Sequence, residues 1–254
     1  MKKFRGIFLK NDREIDLLRE ANRIVACILE ELGRQVIPGK PTIFYEEICQ
    51  NMCHKFGVTP SFQGLYGYPY ALCCGLNDVV VHGFPNNIPL KEGDIISFDF
   101  GVCYKGFYGD AARTFKVGEV SPNADKLLKI TSECLDKGVQ QARVGNRIGD
   151  ISRTVQSHAV ENGFGVVRRF VGHGIGSSPH EKPEIANYFP ATDDAIPLKA
   201  GMVICIEPMI TEGTCELDIM KDKWTARTKD RKLSAHFEHC VAILPNGPEI
   251  LDRT

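Results

Sequence analysis

Acidic residues stand inside apolar segments of this 254-residue sequence, where a carboxylate needs a compensating partner. Asp99 in IISFDFG and Asp110 in FYGDAA lie in the segment 91–113, which we predict to be two antiparallel strands joined by a turn. With the turn centred between Tyr104 and Lys105, the two aspartates lie directly opposite each other, their Cβ atoms roughly 5 Å apart. Like charges at that spacing repel, and a divalent cation is the simplest compensation. The alternative is that one or both are turn or helix-cap aspartates.

An internal repeat gives the first aspartate an acidic counterpart. IPLKEGDIISFD (88–99) aligns with IPLKAGMVICIE (196–207), an offset of 108 residues that also relates other positions along the chain. Asp99 thereby corresponds to Glu207, so an acid ends the apolar strand in both repeats. Buried carboxylates are costly unless they are paired or bind a metal. Their pseudo-symmetric placement indicates that they converge on a cation between the two halves of the chain.

Two further residues complete a possible ligand set. Glu238 stands in the apolar segment FEHCVAIL, and strand alternation places it on the same face as His236 and Cys240. His173 lies in GHG, where small neighbours leave the imidazole free to reach a ligand. Carboxylates outnumber imidazoles and no thiolate is obvious, which suits two divalent ions such as Mn, Fe or Co, with Zn possible. Such ions lie roughly 3.5–4 Å apart and hold a bridging water. The five candidate ligands are Asp99, Asp110, His173, Glu207 and Glu238.

Two other histidines are candidates for contact with a substrate. His82 lies in VVVHGFP, where a strand runs into a glycine turn, and His180 lies in SSPHEKP, seven residues after His173. Near an acidic dimetal centre they would suit substrate orientation and hydrogen bonding to a transition state. Each could equally be a structural histidine with satisfied hydrogen bonds.

The elements that must position these residues follow from periodicity and capping. Four helices are predicted, at 12–36 with Asn11 or Asp12 as its cap, at Thr42–Lys55, at 122–142 with Ser121 as its cap, and at 147–162. Strands outside the hairpin are predicted at Ala71–Cys74, Val79–Val81, 202–211 and 236–244, whereas 212–234 is polar and predicted to be mostly loop. The order helix, helix, loop, strand occurs twice. We therefore predict one domain over 1–254 with two α+β halves, about 12–117 and 121–245, that share an antiparallel sheet with helices on one side.

Composition excludes several classes of function. The net charge of −1 argues against binding nucleic acid through broad electrostatics. No apolar run approaches the length of a membrane span, and the N-terminal segment lacks the apolar core of a secretory signal. The ten cysteines form no disulfide framework and mostly stand in apolar runs. Free thiols in that number fit a reducing cytoplasm.

The motifs NDVVVHGFP, SFDFGVCYKGFYGDAARTF, VGHGIGSSPHEKP, ICIEPMIT and WTARTKDRKLSAHFEH resemble those of type I methionine aminopeptidases. The resemblance runs from about residue 12 to the C-terminus. It implies the "pita-bread" fold, in agreement with the duplication. It also implies a dinuclear metalloenzyme that removes the initiator methionine from nascent polypeptides when the second residue is small, by attack of a metal-bridging water on the first peptide bond.

The resemblance also implies a role for each candidate residue. Asp99 would chelate one metal, His173 and Glu207 would hold the other, and Asp110 and Glu238 would bridge both. Glu207 would also accept the proton of the attacking water. His82 and His180 would contact the substrate amide and stabilise the tetrahedral intermediate. The methionine pocket would be formed by Tyr68, Cys73, Phe170 and Trp224.

The sequence departs from the family pattern near the substrate. Pro179 stands where an aromatic residue usually precedes the second histidine, and His236 stands where glutamine is usual. Leu65 and Tyr66 replace a family Tyr-His pair. These changes leave the ligand set complete and bear on pocket shape and inhibitor selectivity.

Two other functions stay open at this point. One is an aminopeptidase P or a prolidase, which shares the fold and cleaves before proline, although such enzymes normally carry an added N-terminal domain. The other is a pita-bread protein that has lost its metals and serves as a binding module, although all five ligands are present here. The expected setting is the cytoplasm, as a monomer acting near the ribosome, with no nucleic-acid or membrane partner.

Overall fold

The structure, a computed structural model, describes residues 2–253. Within that range the helices are α1 (Asp12–Gln35), α2 (Thr42–Phe56), α3 (Pro122–Gln141) and α4 (Ile148–Glu161). The first strands are β1 (Lys2–Phe4), β2 (Ile7–Leu9), β3 (Thr59–Pro60), β4 (Leu72–Leu76), β5 (Val79–Val81), β6 (Ile95–Tyr104) and β7 (Phe107–Lys116). Those after α4 are β8 (Gly165–Val166), β9 (Gly172–Gly174), β10 (Glu181–Ile185), β11 (Val203–Ile206), β12 (Met209–Thr211), β13 (Leu217–Ile219), β14 (Ala226–Thr228), β15 (Ser234–His236), β16 (His239–Leu244) and β17 (Gly247–Ile250).

Helix ends lie where the capping residues predict them. Asn11 begins α1 with a capping box, in which its side chain accepts from the Glu14 N–H and the Glu14 carboxylate accepts from the Asn11 N–H. Ser121 caps α3 by accepting from the Ala124 N–H. Gly57 ends α2 in the left-handed conformation, at φ 66°. All four predicted helices are confirmed to within one residue at each end.

The strands form antiparallel sheets around two helix-covered cores. One sheet has the order β10-β9-β11-β16-β17, and another contains β3, β6 and β4 with β7 paired to β6. In the first half, α1 and α2 bury apolar residues against β4, β6 and β7. In the second half, α3 and α4 pack over β11, β12 and β16. The predicted α+β architecture is therefore confirmed.

The predicted register of the hairpin is wrong. Tyr104 pairs with Phe107, so the turn is Lys105-Gly106, and Asp99 lies opposite Ala112 instead of Asp110. Both turn residues have positive φ, 48° and 82°, which is the two-residue turn that matches strand twist. Because the predicted turn was centred one residue too early, each residue was assigned a partner two positions away from its true one. A shift of two positions leaves every side chain on its predicted face of the hairpin. The two aspartates thus stay on one face as diagonal neighbours.

The two later strands that carry glutamates are interrupted, where the sequence predicted continuous strands. Glu207-Pro208 separates β11 from β12, and Phe237-Glu238 separates β15 from β16. The breaks match, because Met209 pairs with His236 and Ile206 pairs with His239. Proline has no N–H to donate to a ladder. In the other break, between β15 and β16, the Glu238 N–H donates to Ala112 O at 2.8 Å, which joins that break to β7.

Three expectations about the remaining segments have separate outcomes. The polar segment 212–234 is mostly loop, as predicted, although it also contains the short strands β13 and β14, of which β14 pairs with β5. All ten cysteines, each within the described range, are free thiols. Among residues 2–253, no helix is long and apolar enough to cross a bilayer.

Candidate metal centre and active site

A cavity of ≈770 Å³ opens over the hairpin and the two strand breaks. All eleven residues that the sequence singled out line it, although they come from segments spread over more than half of the chain. They are Tyr68, Cys73, His82, Asp99, Asp110, Phe170, His173, His180, Glu207, Trp224 and Glu238. The structure therefore brings every predicted site residue to one place.

Acidic and imidazole side chains converge at the base of the cavity. Ligand atoms of Asp110, His173, Cys205 and Glu238 all lie within 4.8 Å of one another. Glu207 joins them, with its Oε1 3.7 Å from His173 Nε2, and Asp110 Oδ2 is 3.9 Å from the same nitrogen. Separations of this size between donor atoms suit a shared cation.

The orientation of His173 is fixed by its own backbone. Its Nδ1 lies 3.0 Å from Gly174 O, and because a carbonyl only accepts, Nδ1 carries the hydrogen. The lone pair is then on Nε2, which faces the carboxylates. A histidine held in this way by a carbonyl has the tautomer that metal ligation requires.

The hairpin makes room for its second aspartate with a glycine. Gly101 lies opposite Asp110, and a Cβ at position 101 would be 2.8 Å from Gly109 O and 3.3 Å from Asp110 Oδ1. The Asp110 N–H donates to Asn22 Oδ1 on α1 at 3.1 Å. The helix thus holds the backbone while the glycine leaves the carboxylate free to face the cavity.

Burial dominates the electrostatics of the carboxylates. It raises the pKa of Asp99 to about 7, an effect that His236 opposes and the Glu207 charge reinforces. It raises the pKa of Glu207 to about 8. The pKa values of Asp110 and Glu238 are also raised well above the usual range, first by burial and then by neighbouring acids, which are Asp99 and Glu207 for Asp110, and Asp110, Glu207 and Asp99 for Glu238. Burial lowers the pKa of His173 to about 3, so its imidazole is neutral.

The donor set fits a divalent cation. Asp110 Oδ1, Glu238 Oε1 and His236 Nε2 are buried and have no hydrogen-bond partner among residues 2–253. Buried polar atoms without partners are costly, and several carboxylates in one buried cluster repel one another. A divalent cation removes both penalties, because it neutralises the acids and occupies the free lone pairs.

Metal-free protein is expected to lose stability between pH 6.5 and pH 8. The folded-state pKa values of Asp99 and Glu207, about 7 and about 8, exceed their ordinary values of 3.8 and 4.5, so the folded state holds protons that the unfolded state has released. Each such proton lowers the free energy of unfolding by about 1.4 kcal/mol per pH unit. His173 opposes this loss near pH 6.5, because its imidazole is still partly protonated in the unfolded state but not in the folded state, and this opposition fades as the pH rises toward 8.

Denaturant unfolding of chelator-treated protein at the two pH values measures this loss. Protein saturated with Mn²⁺ is the control, and its stability is expected to hold or rise, because the cation keeps the carboxylates ionised. Equal stability of the metal-free protein at both pH values would contradict the burial of ionisable carboxyls.

An aromatic wall, formed by Tyr68, Phe170 and Trp224, lines the same cavity as the acidic cluster. Tyr68 donates from its hydroxyl to Leu72 O or Gly83 O, at 3.1 and 3.0 Å, and packs edge to face on Trp224. Cys73 is buried in the same cluster of side chains. This side of the cavity can take an unbranched apolar side chain.

His82 packs against the aromatic wall. Its ring packs at right angles on Phe170, with centroids 5.0 Å apart, and on Trp224 at 6.1 Å. Burial is the main cause that lowers its pKa to about 4, so its imidazole is neutral. The residue has φ 58°, an uncommon conformation for a side-chain-bearing residue and one found at functional sites.

His180 lies nearer the mouth of the cavity. Its ring is 4.5 Å from that of His173 and stacks on Tyr66 at 6.1 Å. Tyr66 is 77% exposed, with φ 51°, and Leu65 precedes it on the rim. Leu65 and Tyr66, two of the four positions at which this sequence departs from the family pattern, therefore lie at the entrance, whereas Pro179 and His236 are buried.

Two residues acquire importance that sequence reasoning did not give them. Cys205, one of the cysteines in apolar runs, places its sulfur in the ligand cluster. The signal available in the sequence was strand alternation, since Cys205 and Glu207 are two residues apart in ICIE and therefore share a face. His236, noted only as a departure, has its Nε2 3.6 Å from Glu207 Oε2, while Thr114 binds its backbone N–H and carbonyl.

Known proteins match this chain along nearly its whole length. Residues 16–245 match the model of metallopeptidase family M24. The methionine aminopeptidase of Clostridium perfringens is 51% identical over 245 residues, which are 96% of this chain and 98% of that protein. The crystal structure of methionine aminopeptidase from Thermotoga maritima superposes with a TM-score of 0.95 at 41% identity, covering 98% of this chain and 100% of that one.

A more distant match separates fold from function. Prolidase from Pyrococcus furiosus has a TM-score of 0.78 at 23% identity, with 97% of this chain and 65% of that chain covered. Identity that low shows a shared fold alone. The fold is thus the pita-bread fold common to both kinds of peptidase, as the resemblance implied. On the family match and the identity to its relatives, the chain belongs to metallopeptidase family M24.

Proposed function

We propose that this protein is a metal-dependent aminopeptidase that removes the initiator methionine from nascent polypeptides whose second residue is small. The observation that carries the proposal is the pairing, in one cavity, of an acidic cluster suited to divalent metal with an aromatic wall. The two relatives at 51% and 41% identity, which also cover almost all of the chain, are named methionine aminopeptidases. The enzyme is accordingly a hydrolase that works on N-termini.

The cation centre is proposed to hold two ions, Mn, Fe or Co, with Zn as another possibility. Asp110 and Glu238 are the proposed bridges, because both lie in the cluster around His173 and their strands join at the contact of Glu238 with Ala112. Asp99 would serve one ion, and His173 with Glu207 the other. A bound divalent cation supplies Lewis-acid polarisation and a water of lowered pKa.

Protein groups supply proton transfer and orientation. Glu207 is the proposed acceptor of the proton released when water attacks, since its carboxylate lies 3.7 Å from His173 Nε2 in the ligand cluster and its buried position favours the protonated form once the proton has moved. His82 and His180 are the proposed hydrogen-bonding groups for the substrate amide and the tetrahedral intermediate, because both are neutral imidazoles on the cavity wall. The methionine side chain would lie against Tyr68, Cys73, Phe170 and Trp224.

The remaining features of the proposal concern organisation and setting. We expect a single catalytic domain of two pseudo-symmetric halves that acts as a monomer near the ribosome. Ten free cysteines fit the cytoplasm. Analytical ultracentrifugation and co-sedimentation with ribosomes test these points separately from the chemistry.

The test of the proposed activity is a panel of peptides with the Mn²⁺-loaded enzyme. Methionine is expected to be released from Met-Ala-Ser and not from Met-Lys-Ser, because the cavity mouth has to admit the second side chain. Ala-Pro-Ser is expected to stay intact. Cleavage of Ala-Pro-Ser in preference to Met-Ala-Ser would instead support the prolidase-like function, which shares the fold.

A further inference from the structure

A buried lysine lies behind the cavity, outside the proposed catalytic groups. Lys10 directly follows β2, and its side chain is only 1% exposed. Its Nζ donates to Glu181 Oε2 at 2.7 Å and to Phe8 O at 3.3 Å. The Lys10 N–H donates to Gly201 O at 2.7 Å, which anchors the residue to the turn before β11. The backbone of Lys10 is thus fixed by a hydrogen bond, and its ammonium group is paired with one carboxylate.

That carboxylate belongs to the residue after His180. Glu181 begins β10 and pairs with Gly174, the neighbour of His173. Both residues line the cavity, but the Glu181 side chain, 5% exposed, is paired with Lys10, whereas the His180 ring lies 4.5 Å from that of His173. The Glu181 side chain therefore fixes the backbone from which the His180 ring projects.

The loop that joins the two histidines packs closely on this ion pair. A Cβ at Gly176 would be 2.6 Å from both Glu181 Oε1 and Lys10 Cε, so only glycine fits. Glu181 Oε1 also accepts from the Ser178 N–H at 3.3 Å, and Gly176 O accepts from the Tyr108 N–H on β7 at 2.9 Å. The loop is therefore attached at its middle to β7 and at its end to Lys10.

We propose that Lys10 and Glu181 are a positioning pair that holds the His180 imidazole over the reacting amide. The role rests on the proposed function, since it concerns the histidine assigned there to the substrate. The structure favours positioning over plain stabilisation, because a buried ion pair is a poor source of stability and apolar residues of similar volume often replace one without loss. Displacement of a catalytic group by about 1 Å can lower a rate ~100-fold.

The first test replaces the pair as a unit. Lys10→Met/Glu181→Met leaves no unpaired buried charge, so we expect a folded protein with a kcat on Met-Ala-Ser that is about 10- to 100-fold lower and an unchanged KM. Arg19→Met/Glu249→Met is the matched control, because Arg19 and Glu249 also form an ion pair between the N-terminal region and a distant strand, but at the surface. Its kcat is expected to equal that of the wild type.

The second test asks whether the effect passes through His180. In a His180→Ala background, where kcat is already low, Lys10→Met/Glu181→Met should cause no further loss, because the group that the pair positions is absent. An additive loss in that background overturns the proposal. So does a wild-type kcat for the paired variant.

A single variant and an independent readout cover the case in which the paired variant fails to fold. Glu181→Gln keeps the size and the acceptor of the side chain, and it should lower kcat without changing KM. Hydrogen exchange at residues 174–181 should become faster in the same variant. Unchanged exchange together with a wild-type kcat overturns the proposal. Wild-type release of methionine from Met-Ala-Ser is measured alongside, so failure of the proposed function shows in the wild type and failure of this inference only in the variants.

Discussion

Asp110→Asn is expected to abolish methionine release, with kcat lower by roughly 1,000-fold or more, equivalent to about 4 kcal/mol of transition-state stabilisation. The carboxylate lies in the cluster with His173 and Glu238, and its Oδ1 has no other partner among the described residues. An asparagine of the same shape offers the centre one neutral oxygen and no charge. Metal binding measured by calorimetry is therefore expected to weaken together with kcat.

The same substitution should leave the fold intact. The Asp110 N–H donates to Asn22 and does not depend on the side chain. Burial already raises the pKa of this carboxyl, so a neutral amide relieves a penalty, and the metal-free variant is expected to be at least as stable as metal-free wild type at pH 8. Asp16→Asn on the exposed face of α1 is the control and should keep wild-type activity. A soluble Asp110→Asn enzyme with wild-type activity would contradict the assignment of Asp110 as a ligand of the metal centre.

Glu207→Gln is expected to lower kcat by about 100- to 10,000-fold, the range typical of losing a positioned proton acceptor. The amide keeps the shape but cannot accept a proton at Oε1 or Oε2, which lie near His173 and His236. Glu212→Gln, on the same segment after β12, is a control outside the cavity. Because Glu207 is also a proposed ligand, metal affinity has to be measured for each variant.

The pH–rate profile separates these two roles of Glu207. Wild-type kcat should fall on the acid side, where Glu207 is already protonated and cannot accept a proton. Glu207→Gln should lose that acid limb if the variant retains metal. A variant that keeps both the acid limb and a wild-type kcat would show that another group accepts the proton.

Sequence reasoning reached the acidic ligands because they violate local patterns, whereas the pocket residues Tyr68, Cys73, Phe170 and Trp224 came only from the family resemblance. Carboxylates in apolar strands, such as Asp99 in IISFD and Glu207 in ICIE, stand out without knowledge of the fold. The repeat then related the two halves. Helix ends were predictable for a similar reason, since caps such as Asn11 and Ser121 act within four residues.

Features that depend on long-range geometry were not predictable in this way. The hairpin register depended on whether Lys105 or Tyr104 begins the turn, and the sequence does not distinguish them. The strand breaks at Glu207 and Glu238 arise together. The β11–β16 pairing ends at Ile206–His239, and the β12–β15 pairing begins at Met209–His236, so both chains are interrupted between the same two pairs. Lys10 gave no sequence signal, because its partner lies 171 residues away.

The measurement that tests the central claim most directly is methionine release from Met-Ala-Ser as chelator-stripped protein is titrated with Mn²⁺. The structure predicts no release by stripped protein, a rise with added metal until the acidic cluster is saturated, and no rise in Asp110→Asn. Full activity of stripped protein that holds no metal by elemental analysis would contradict the assignment of this cavity as a metallopeptidase centre.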